Sequence, residues 1–278
     1  MQGHYGTYAV AGGDVAISRI FPVEEAEQLS SHLIEGSATG LFLVEEHLYV
    51  LSNLNWGQSP SPESEAAISW RNIQGAALTV LDVSDPSEPA LVRQTYFTGG
   101  MREARIVDGD LHIVTYEDIY IGDSAARQAE ALRAINEATT DDYQTLRMDN
   151  RKVNDVWDVD TGPACSCENT FASSEEGGTY VTTVSTLDLT DPLGEISAAA
   201  VVGRADTIYA SDRSLYVGYS VSPGTAFTGF NAIQNTVLHK FTIGDAKAEY
   251  AATAYVEGAM TDQFGIKESH QTEFIDFV

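Results

Sequence analysis

The stretch Leu81–Phe97, LDVSDPSEPALVRQTYF, recurs in altered form as Leu187–Gly203, LDLTDPLGEISAAAVVG. Each copy alternates polar and apolar residues, reaches an Asp-Pro turn and then alternates again. The Asp side chain can bond the backbone and Pro fixes φ, so each copy predicts a β-hairpin. A third segment, at 235–258, follows the same plan around an Asp-containing turn.

A second hairpin pattern follows each of the two full copies. REARIVDGDLHIVTYEDIY (102–120) resembles RADTIYASDRSLYVGYSVS (204–222), and TGLFLVEEHLYVLSN (39–53) is an earlier relative. Four short antiparallel strands per repeat are typical of a β-propeller. We therefore predict an all-β fold, an incomplete β-propeller with four-stranded blades in one partial domain over residues 1–278. The predicted blade-like units span about 13–52, 77–120, 180–222 and 235–278.

Two long segments interrupt these repeats. Residues 123–178 separate the two full copies, and their first part, 123–150, is Ala-rich with apolar residues at helical spacing, which predicts a helix. The following stretch, 159–180, is rich in Gly, Ser and acids and predicts a loop. A second loop is predicted at 53–70. Long propeller loops commonly gather at one face, where function is carried.

The charge balance is unusual for a folded chain of 278 residues. There are 41 acidic residues against 15 basic ones, a formal net charge of −26. Molar salt screens such self-repulsion, so the composition favours adaptation to a salt-rich medium; an acidic protein from an ordinary cell is the alternative. No basic stripe is present, which argues against nucleic-acid binding.

The chain shows no targeting or membrane segment of its own. No stretch approaches 18 uninterrupted apolar residues, so no transmembrane segment is predicted. The first 20 residues lack the basic and apolar regions of a signal peptide. We expect either an intracellular protein or one whose gene product begins further upstream.

The order of the motifs resembles the secreted bacterial and archaeal β-propeller domain proteins, which are distantly WD40-like. The resemblance covers roughly 77–121 and 180–268 and rests on these stretches: LDVSDPSEPALVRQ, MREARIVDGDLHIVT, TTVSTLDLTDP, ADTIYASDRSLYVG, HKFTI and GAMTDQFGIKE. It implies an extracellular or cell-surface location. The pattern after DQFGIKE departs from the family, so we expect a fragment whose open blade edges could support self-association.

Three tryptophans are candidates for binding. Trp56, Trp70 and Trp157 lie in or beside the two long interruptions. Exposed loop aromatics bind sugars or proteins, and packing of a loop onto the propeller is the alternative. If these residues bind a partner, we expect them where the long loops cluster.

Cys165 and Cys167 are the only cysteines and form a C-x-C pair. Such a pair can close a small disulfide ring or contribute two thiolates to a metal site. Two thiolates do not complete a zinc site and no histidine is near in sequence. A disulfide is the preferred prediction, and no metal site is assigned.

No sequence motif identifies a catalytic centre or a cofactor. G-x-S-x-G, H-E-x-x-H and P-loop patterns are missing, so no catalytic residue and no cofactor are predicted. His47 and His112 occupy similar places in two repeats and are interpreted as strand residues. The repeated acid pairs are interpreted as turn formers, with a cation site as the alternative: Asp82 with Asp85, and Asp188 with Asp191. The recurring Arg102 and Arg204 are expected to pair with acids between strands.

These features give two main hypotheses of function. The first is a non-enzymatic binding or scaffold propeller at the cell surface of a halophile, which contacts a protein or glycan of the cell envelope. The second is a hydrolase or lyase that uses carboxylates in the propeller channel. Propellers support both, so fold alone does not decide. A fragment without independent function is a third possibility.

The acidic composition predicts that salt stabilises the folded chain. Raising salt from about 0.1 M to about 3 M shortens the Debye length from about 10 Å to below about 3 Å, and so removes most self-repulsion. We expect the urea midpoint to rise and size-exclusion profiles to sharpen. A midpoint that does not change with salt would contradict adaptation to a salt-rich medium.

Overall fold

The computed structural model describes residues 6–11, 13–54, 75–118, 145–172, 180–221, 235–260, 262–268 and 275–277. Within these ranges the chain is built from twenty β-strands and has no α-helix. Three short 3₁₀ turns complete the regular structure: Val23–Glu25, Cys167–Asn169 and Gln263–Gly265. The prediction of an all-β fold is confirmed.

The strands form five sheets. Sheet A contains β1 (Gly6–Ala11), β2 (Asp14–Arg19) and β3 (Glu27–Leu33). Sheet B contains β4 (Ser37–Val44), β5 (His47–Leu54), β6 (Gly75–Asp82), β7 (Ala90–Thr98), β10 (Leu146–Val153) and β11 (Val156–Pro163). Sheet C contains β8 (Gly100–Val107), β9 (Asp110–Asp118), β12 (Thr170–Ala172), β13 (Tyr180–Asp188) and β14 (Ser197–Val202). Sheet D contains β15 (Thr207–Ala210), β16 (Ser214–Val221), β17 (Asn235–Gly244) and β18 (Lys247–Glu257), and sheet E contains β19 (Ile266–Glu268) and β20 (Ile275–Phe277).

The described chain divides into two compact units. Unit 1 comprises 1–101, 146–162 and 189–194, and unit 2 comprises 102–145, 163–188 and 195–278. Sheets A and B belong to unit 1, and sheets C, D and E fall essentially in unit 2. Each unit draws on separated chain segments, so neither corresponds to a single cut in the sequence.

Four antiparallel strands in chain order form the centre of sheets B, C and D, as the repeats predict. The predicted unit boundaries are displaced by half a blade, however. Within the predicted unit 77–120, β6 and β7 belong to sheet B, whereas β8 and β9 belong to sheet C. The units 13–52, 180–222 and 235–278 are divided between two sheets in the same way. The sequence repeat determines the order of the hairpins, but the pairing between consecutive hairpins determines which strands form one blade.

The long insertion contains strands where the sequence predicted helix and loop. The predicted helix at 123–150 is wrong for 146–150, which lie in β10; residues 123–144 lie outside the described part. The predicted loop at 159–180 is wrong where β11 and β12 run. Strand β10 pairs with β7, with Arg151 opposite Arg93. This long-range pairing overrides the local helical composition.

The core of unit 1 lies between sheets A and B. Two sheet A side chains, Val15 and Ile17, are nearly inaccessible to solvent, and so is Leu48 on β5. These strands alternate apolar and polar residues, so one face of each is available for burial. The cluster consists of Val15, Ile17, Ile34, Leu48, Val50, Leu81 and Val83.

The main core of unit 2 lies between sheets C and D. Val114 and Val184 face each other across β9 and β13, and both are buried. Phe241 on β17 packs in the same cluster. The other buried members are Ala199, Val201, Ala205, Ile208, Leu215, Val217, Ile243 and Ala248.

The turn chemistry follows the sequence closely. Asp108 and Gly109 both have positive φ, 50° and 92°, as a two-residue hairpin turn requires. Within the first Asp-Pro motif, Asp85 Oδ1 accepts a 2.9 Å hydrogen bond from the Ser87 N–H. Asp82 Oδ1 accepts an equivalent bond from the Ser84 N–H at 2.9 Å. The interpretation of this acid pair as turn formers is confirmed.

A buried ion pair holds β10 against β7, its neighbour in sheet B. Arg93 and Asp149 are 0% and 4% exposed at their side chains, and their closest nitrogen and oxygen are 2.6 Å apart. Arg93 Nε also donates to Asp149 Oδ1 at 2.9 Å. The remaining guanidinium nitrogen donates to the carbonyl oxygens of Pro192 and Gly194, at 3.0 and 2.8 Å. All four residues belong to unit 1.

In both units, a side chain on one strand donates a hydrogen bond to a carbonyl oxygen in a turn of another blade. In unit 1, Ser30 on β3 donates to the Pro86 carbonyl at 2.6 Å, and Arg93 on β7 donates to the Pro192 carbonyl. In unit 2, Ser197 on β14 donates to the Ala246 carbonyl at 2.8 Å. Ser30 lies on the last strand of sheet A, Arg93 and Ser197 lie on the fourth strands of their blades, and each acceptor lies in a turn that joins a third strand to a fourth. The repeated Asp-Pro turn therefore presents a carbonyl to a neighbouring outer strand.

We predict that Arg93→Met lowers the free energy of unfolding by about 3–5 kcal/mol, because it leaves the Asp149 carboxylate buried without its main cation. The double variant Arg93→Met, Asp149→Leu should be less destabilised than Arg93→Met alone. Urea unfolding of wild type, both single variants and the double variant measures this cycle. A loss below about 1 kcal/mol for Arg93→Met would show that the pair does not anchor β10.

Candidate binding surface

Trp157 is the one predicted binding residue within the described ranges; Trp56 and Trp70 lie outside them. It is the second residue of β11, and its side chain is 42% exposed. Strand β11 begins after the Asn154–Asp155 turn, at the end of sheet B opposite to Leu54 and Gly75, where the 55–74 connection attaches. Residues 55–74 and 119–144 lie outside the described ranges, so the expectation that Trp157 lies where the long loops cluster is not tested. Its role in binding stays a prediction.

Strand β11 is the outermost strand of sheet B, and residues 156–161 are all exposed; we call this segment the β11 edge. Val156, Trp157 and Val159 are 67%, 42% and 47% exposed. With Val153 they make up four of the eleven large exposed apolar side chains in the described part of the chain. Three large exposed apolar side chains therefore lie within four residues of one edge strand, which is typical of an interaction surface.

The other side of the β11 edge is charged. Asp158 pairs with Arg151 at 3.1 Å, and Asp160 pairs with Arg147 at 3.4 Å. Both carboxylates remain about 60% exposed, so these pairs add little stability. By strand alternation, Trp157 and Val159 lie on one face of the sheet, whereas the carboxylates lie on the other face together with Val156.

A second surface cluster surrounds the recurring arginines in unit 2. Arg204 pairs with Asp206 at 3.4 Å, two residues further along in the segment between β14 and β15, so its acid partner is not on a neighbouring strand as predicted. Arg102 donates instead to the main-chain oxygen of Asp206, at 3.5 Å. Each guanidinium also lies over a tyrosine ring, Arg102 over Tyr116 at 5.0 Å and Arg204 over Tyr180 at 5.1 Å. The two rings stack with centroids 5.9 Å apart.

This arginine–tyrosine stack lies at the end of sheet C where the second and third strands of the blade connect. Tyr180 pairs with Asp118, the last residue of β9, and Tyr116 pairs with Thr182. Each ring stacks on the other ring and lies against a guanidinium, so the stack supports the strand ends. The recurrence of Arg102 and Arg204 in the sequence drew attention to these two residues, but nothing in the local sequence indicated that they contact tyrosines.

The two histidines of unit 2 within the described ranges are core residues. His112 is buried and its Nδ1 lies 2.9 Å from Thr186 Oγ1. His239 is also buried, with Nδ1 2.6 Å from Thr253 Oγ1. A Cβ on Gly203 would approach His239 Nε2 to 2.7 Å, so this glycine makes room for the ring. Burial lowers the pKa of His112, and it lowers the pKa of His239 to about 4.

A polar network in unit 2 centres on Glu268. Its carboxylate accepts hydrogen bonds from Ser211, Ser214 and Tyr216, the latter two at 3.0 Å, and pairs with Lys240 at 3.4 Å. Burial acts to raise the pKa of Glu268, but the hydroxyl donors and Lys240 outweigh it and hold that pKa below its usual value. A carboxylate with this many donors stays ionised, which suits a structural tie between β19 and sheet D.

The carboxyl groups with shifted pKa values all move in one direction in the described ranges. Hydrogen bonds from Ser84 lower the pKa of Asp82, and hydrogen bonds from Ser87 lower that of Asp85. Glu268 is lowered as well. A general acid at neutral pH needs a raised pKa. Among the described residues, no group of three or more His, Cys, Asp or Glu is arranged to hold a metal ion.

The two cysteines lie in unit 2. Cys165 is half-buried against the cluster of Val181, Ala200 and Val202, and its Sγ lies 3.4 Å from Thr170 Oγ1. Cys167 is exposed in the following 3₁₀ turn. The predicted disulfide between them stays a prediction, which thiol titration under denaturing conditions can test.

The repeated four-stranded antiparallel sheets define an all-β protein of the propeller class. The sequence matches the family described as Beta propeller domain over residues 3–273. Because this match spans nearly the whole chain, the protein belongs to that β-propeller family. None of the curated proteins compared with the sequence matches it. No helix in the described ranges is long and apolar enough to cross a membrane.

The buried His239 predicts an acid-sensitive fold. Above pH 6.5 the ring is neutral in both states; below 6.5 the unfolded chain gains a proton that the folded chain does not accept until about pH 4. Stability from this residue should therefore fall between those values, by on the order of 3 kcal/mol, since one pKa unit corresponds to about 1.4 kcal/mol. His239→Gln should lose less stability than wild type between about pH 7 and pH 4.5 in urea unfolding. Equal pH slopes for the two proteins would contradict the assignment.

Proposed function

We propose that this protein is a non-enzymatic extracytoplasmic or cell-surface binding or scaffold propeller of a halophile, with a partner in the cell envelope. The observation that carries the proposal is the β11 edge. Its three large apolar side chains are between 42% and 67% exposed, on a strand that ends its sheet. Exposed aromatic and aliphatic side chains on a rigid element are the usual anchors of a protein interface. This favours a protein over a glycan as partner.

The proposed cell-surface location and the proposed salt-rich medium are supported by two different observations. The resemblance to secreted propeller proteins implies an extracytoplasmic site. The net charge of −26 suits a medium in which salt screens self-repulsion. The alternative function, hydrolysis or elimination by channel carboxylates, needs a carboxyl group with a raised pKa. The shifted carboxyl groups of the described residues move the other way.

Trp157→Ala should weaken capture of a cell-envelope protein by at least about tenfold, because a central aromatic anchor commonly supplies more than 1.4 kcal/mol of binding. The matched control is Tyr255→Ala on β18, an aromatic side chain of nearly equal exposure at 41%. The immobilised wild type and both variants are incubated with solubilised envelope. The captured protein is then purified and titrated against each one.

Three further observations bear on the outcome. Equal affinity of wild type and Trp157→Ala for the purified partner would contradict the assignment of the β11 edge. Equal weakening by Tyr255→Ala would show that the effect is not local to this edge. Urea midpoints of all three proteins must agree, so that lost binding is not lost folding.

A further inference from the structure

We propose that the β11 edge binds its partner by strand addition, and that the partner is an extended segment alternating apolar with basic residues. This inference rests on the proposed function and specifies its binding mode. An exposed sheet edge offers main-chain donors and acceptors for a further strand, while alternate side chains give specificity. Each step below depends on residues of unit 1 only.

The turn before β11 fixes which backbone groups face outward. Asn154 and Asp155 have φ values of 50° and 63°, as in a two-residue hairpin turn with left-handed residues at both positions. Such a turn makes Val153 and Val156 a hydrogen-bonded pair. Because hydrogen-bonding direction alternates along a strand, the N–H and C=O groups of residues 157, 159 and 161 point away from β10.

The side chains at these same positions are apolar or neutral. Trp157 and Val159 belong to the outward-bonding residues, and both are more than 40% exposed. An antiparallel partner residue that hydrogen-bonds to Val159 lies directly opposite it, with its side chain on the same face. The partner residues that bond to the edge are therefore expected to be apolar.

The intervening positions select for positive charge. Asp158 and Asp160 already pair with Arg151 and Arg147 on β10. A partner Lys or Arg opposite Asp158 would extend the Arg151–Asp158 row to a third strand, and one opposite Asp160 would give that carboxylate a directly opposed cation. A partner acid there would lie directly opposite a carboxylate, which is destabilising. The net charge of −26 also favours approach of a basic segment.

A second copy of the chain fits this edge poorly. Antiparallel pairing of two β11 strands about Val159 places Asp158 of one copy opposite Asp160 of the other. Pairing about Asp158 or Asp160 places that carboxylate opposite itself. Each arrangement adds facing carboxylates between two chains of net charge −26.

The edge at β18 differs in the features that carry the proposal. Its first residues hold an ion pair, Lys247 with Glu249 at 2.7 Å, and its exposed centre consists largely of alanine. Tyr255 is its single large exposed apolar side chain among the described residues. Charged and small side chains protect an edge from added strands. Strand β18 is thus a suitable internal control.

The test uses the full chain and blocked eight-residue peptides, measured by titration calorimetry at the lowest salt concentration at which the chain remains folded. The first probe alternates Lys and Val, and its charge control alternates Glu and Val. Two further versions of the Lys/Val peptide carry N-methyl groups, one on every Val and the other on every Lys. In the proposed register the Val N–H groups bond to β11 and the Lys N–H groups face solvent.

We expect the Lys/Val peptide and its Lys-methylated form to bind, and the Val-methylated form to bind at least about tenfold more weakly. The Glu/Val peptide should not bind. Val159→Pro removes one outward N–H and should weaken binding by about tenfold relative to Val159→Ala, which keeps it. Tyr255→Ala should leave binding unchanged.

Three outcomes would overturn strand addition. Equal affinity of the two methylated peptides would show that the surface binds through side chains alone. No binding of the Lys/Val peptide up to about 1 mM would exclude this partner chemistry. Dimerisation of the wild type that Val159→Pro abolishes would identify a second copy as the occupant. The envelope-capture result with Trp157→Ala is independent of all three, so the proposed function is judged separately.

Discussion

The buried guanidinium of Arg93 is the constraint on which unit 1 depends. A charge without solvent access is tolerable only when its donors are satisfied, and here every nitrogen has a partner. Three of the partners are remote in sequence: the Asp149 carboxylate on β10 and the carbonyls of Pro192 and Gly194. One side chain therefore joins β7 to the β10–β11 hairpin and to the second Asp-Pro turn. The position of the Arg93 side chain is fixed because loss of any one of these hydrogen bonds would leave a buried polar group without a partner.

That arrangement explains why the chain contains the Asp-Pro motif twice. Asp and Pro shape the turn locally, and the sequence shows this directly. The turn also exposes a carbonyl, which Ser30 binds at Pro86 and Arg93 binds at Pro192. In unit 2, Ser197 makes the corresponding bond to Ala246, in a turn without proline. The donors are as different as Ser and Arg, so no sequence comparison of the repeats could have identified them.

The strands of the repeats were predictable because their hydrophobic period and turn residues are local signals. Blade boundaries were not, since they depend on which hairpin pairs with which. The insertion misled the prediction for a similar reason. Residues 146–150 follow an Ala-rich stretch, yet Asp149 is drawn into β10 by a cation 56 positions earlier in the chain. Trp157 lies on an edge strand because β11 pairs with β10, and no local signal in the sequence indicated that pairing.

The anchoring of β10 and the exposure of β11 are parts of one arrangement. Within the described part of the chain, β11 pairs with β10 alone, and β10 is held to β7 by backbone pairing and the Arg93–Asp149 ion pair. A strand that offers its edge to a partner must be ordered before binding, or the association bears the entropy of ordering it. A rigid buried ion pair two strands away supplies that order without covering the edge. The buried ion pair and the β11 edge therefore have a common explanation. The ion pair holds the β10–β11 hairpin in place, and the hairpin presents the β11 edge to a partner.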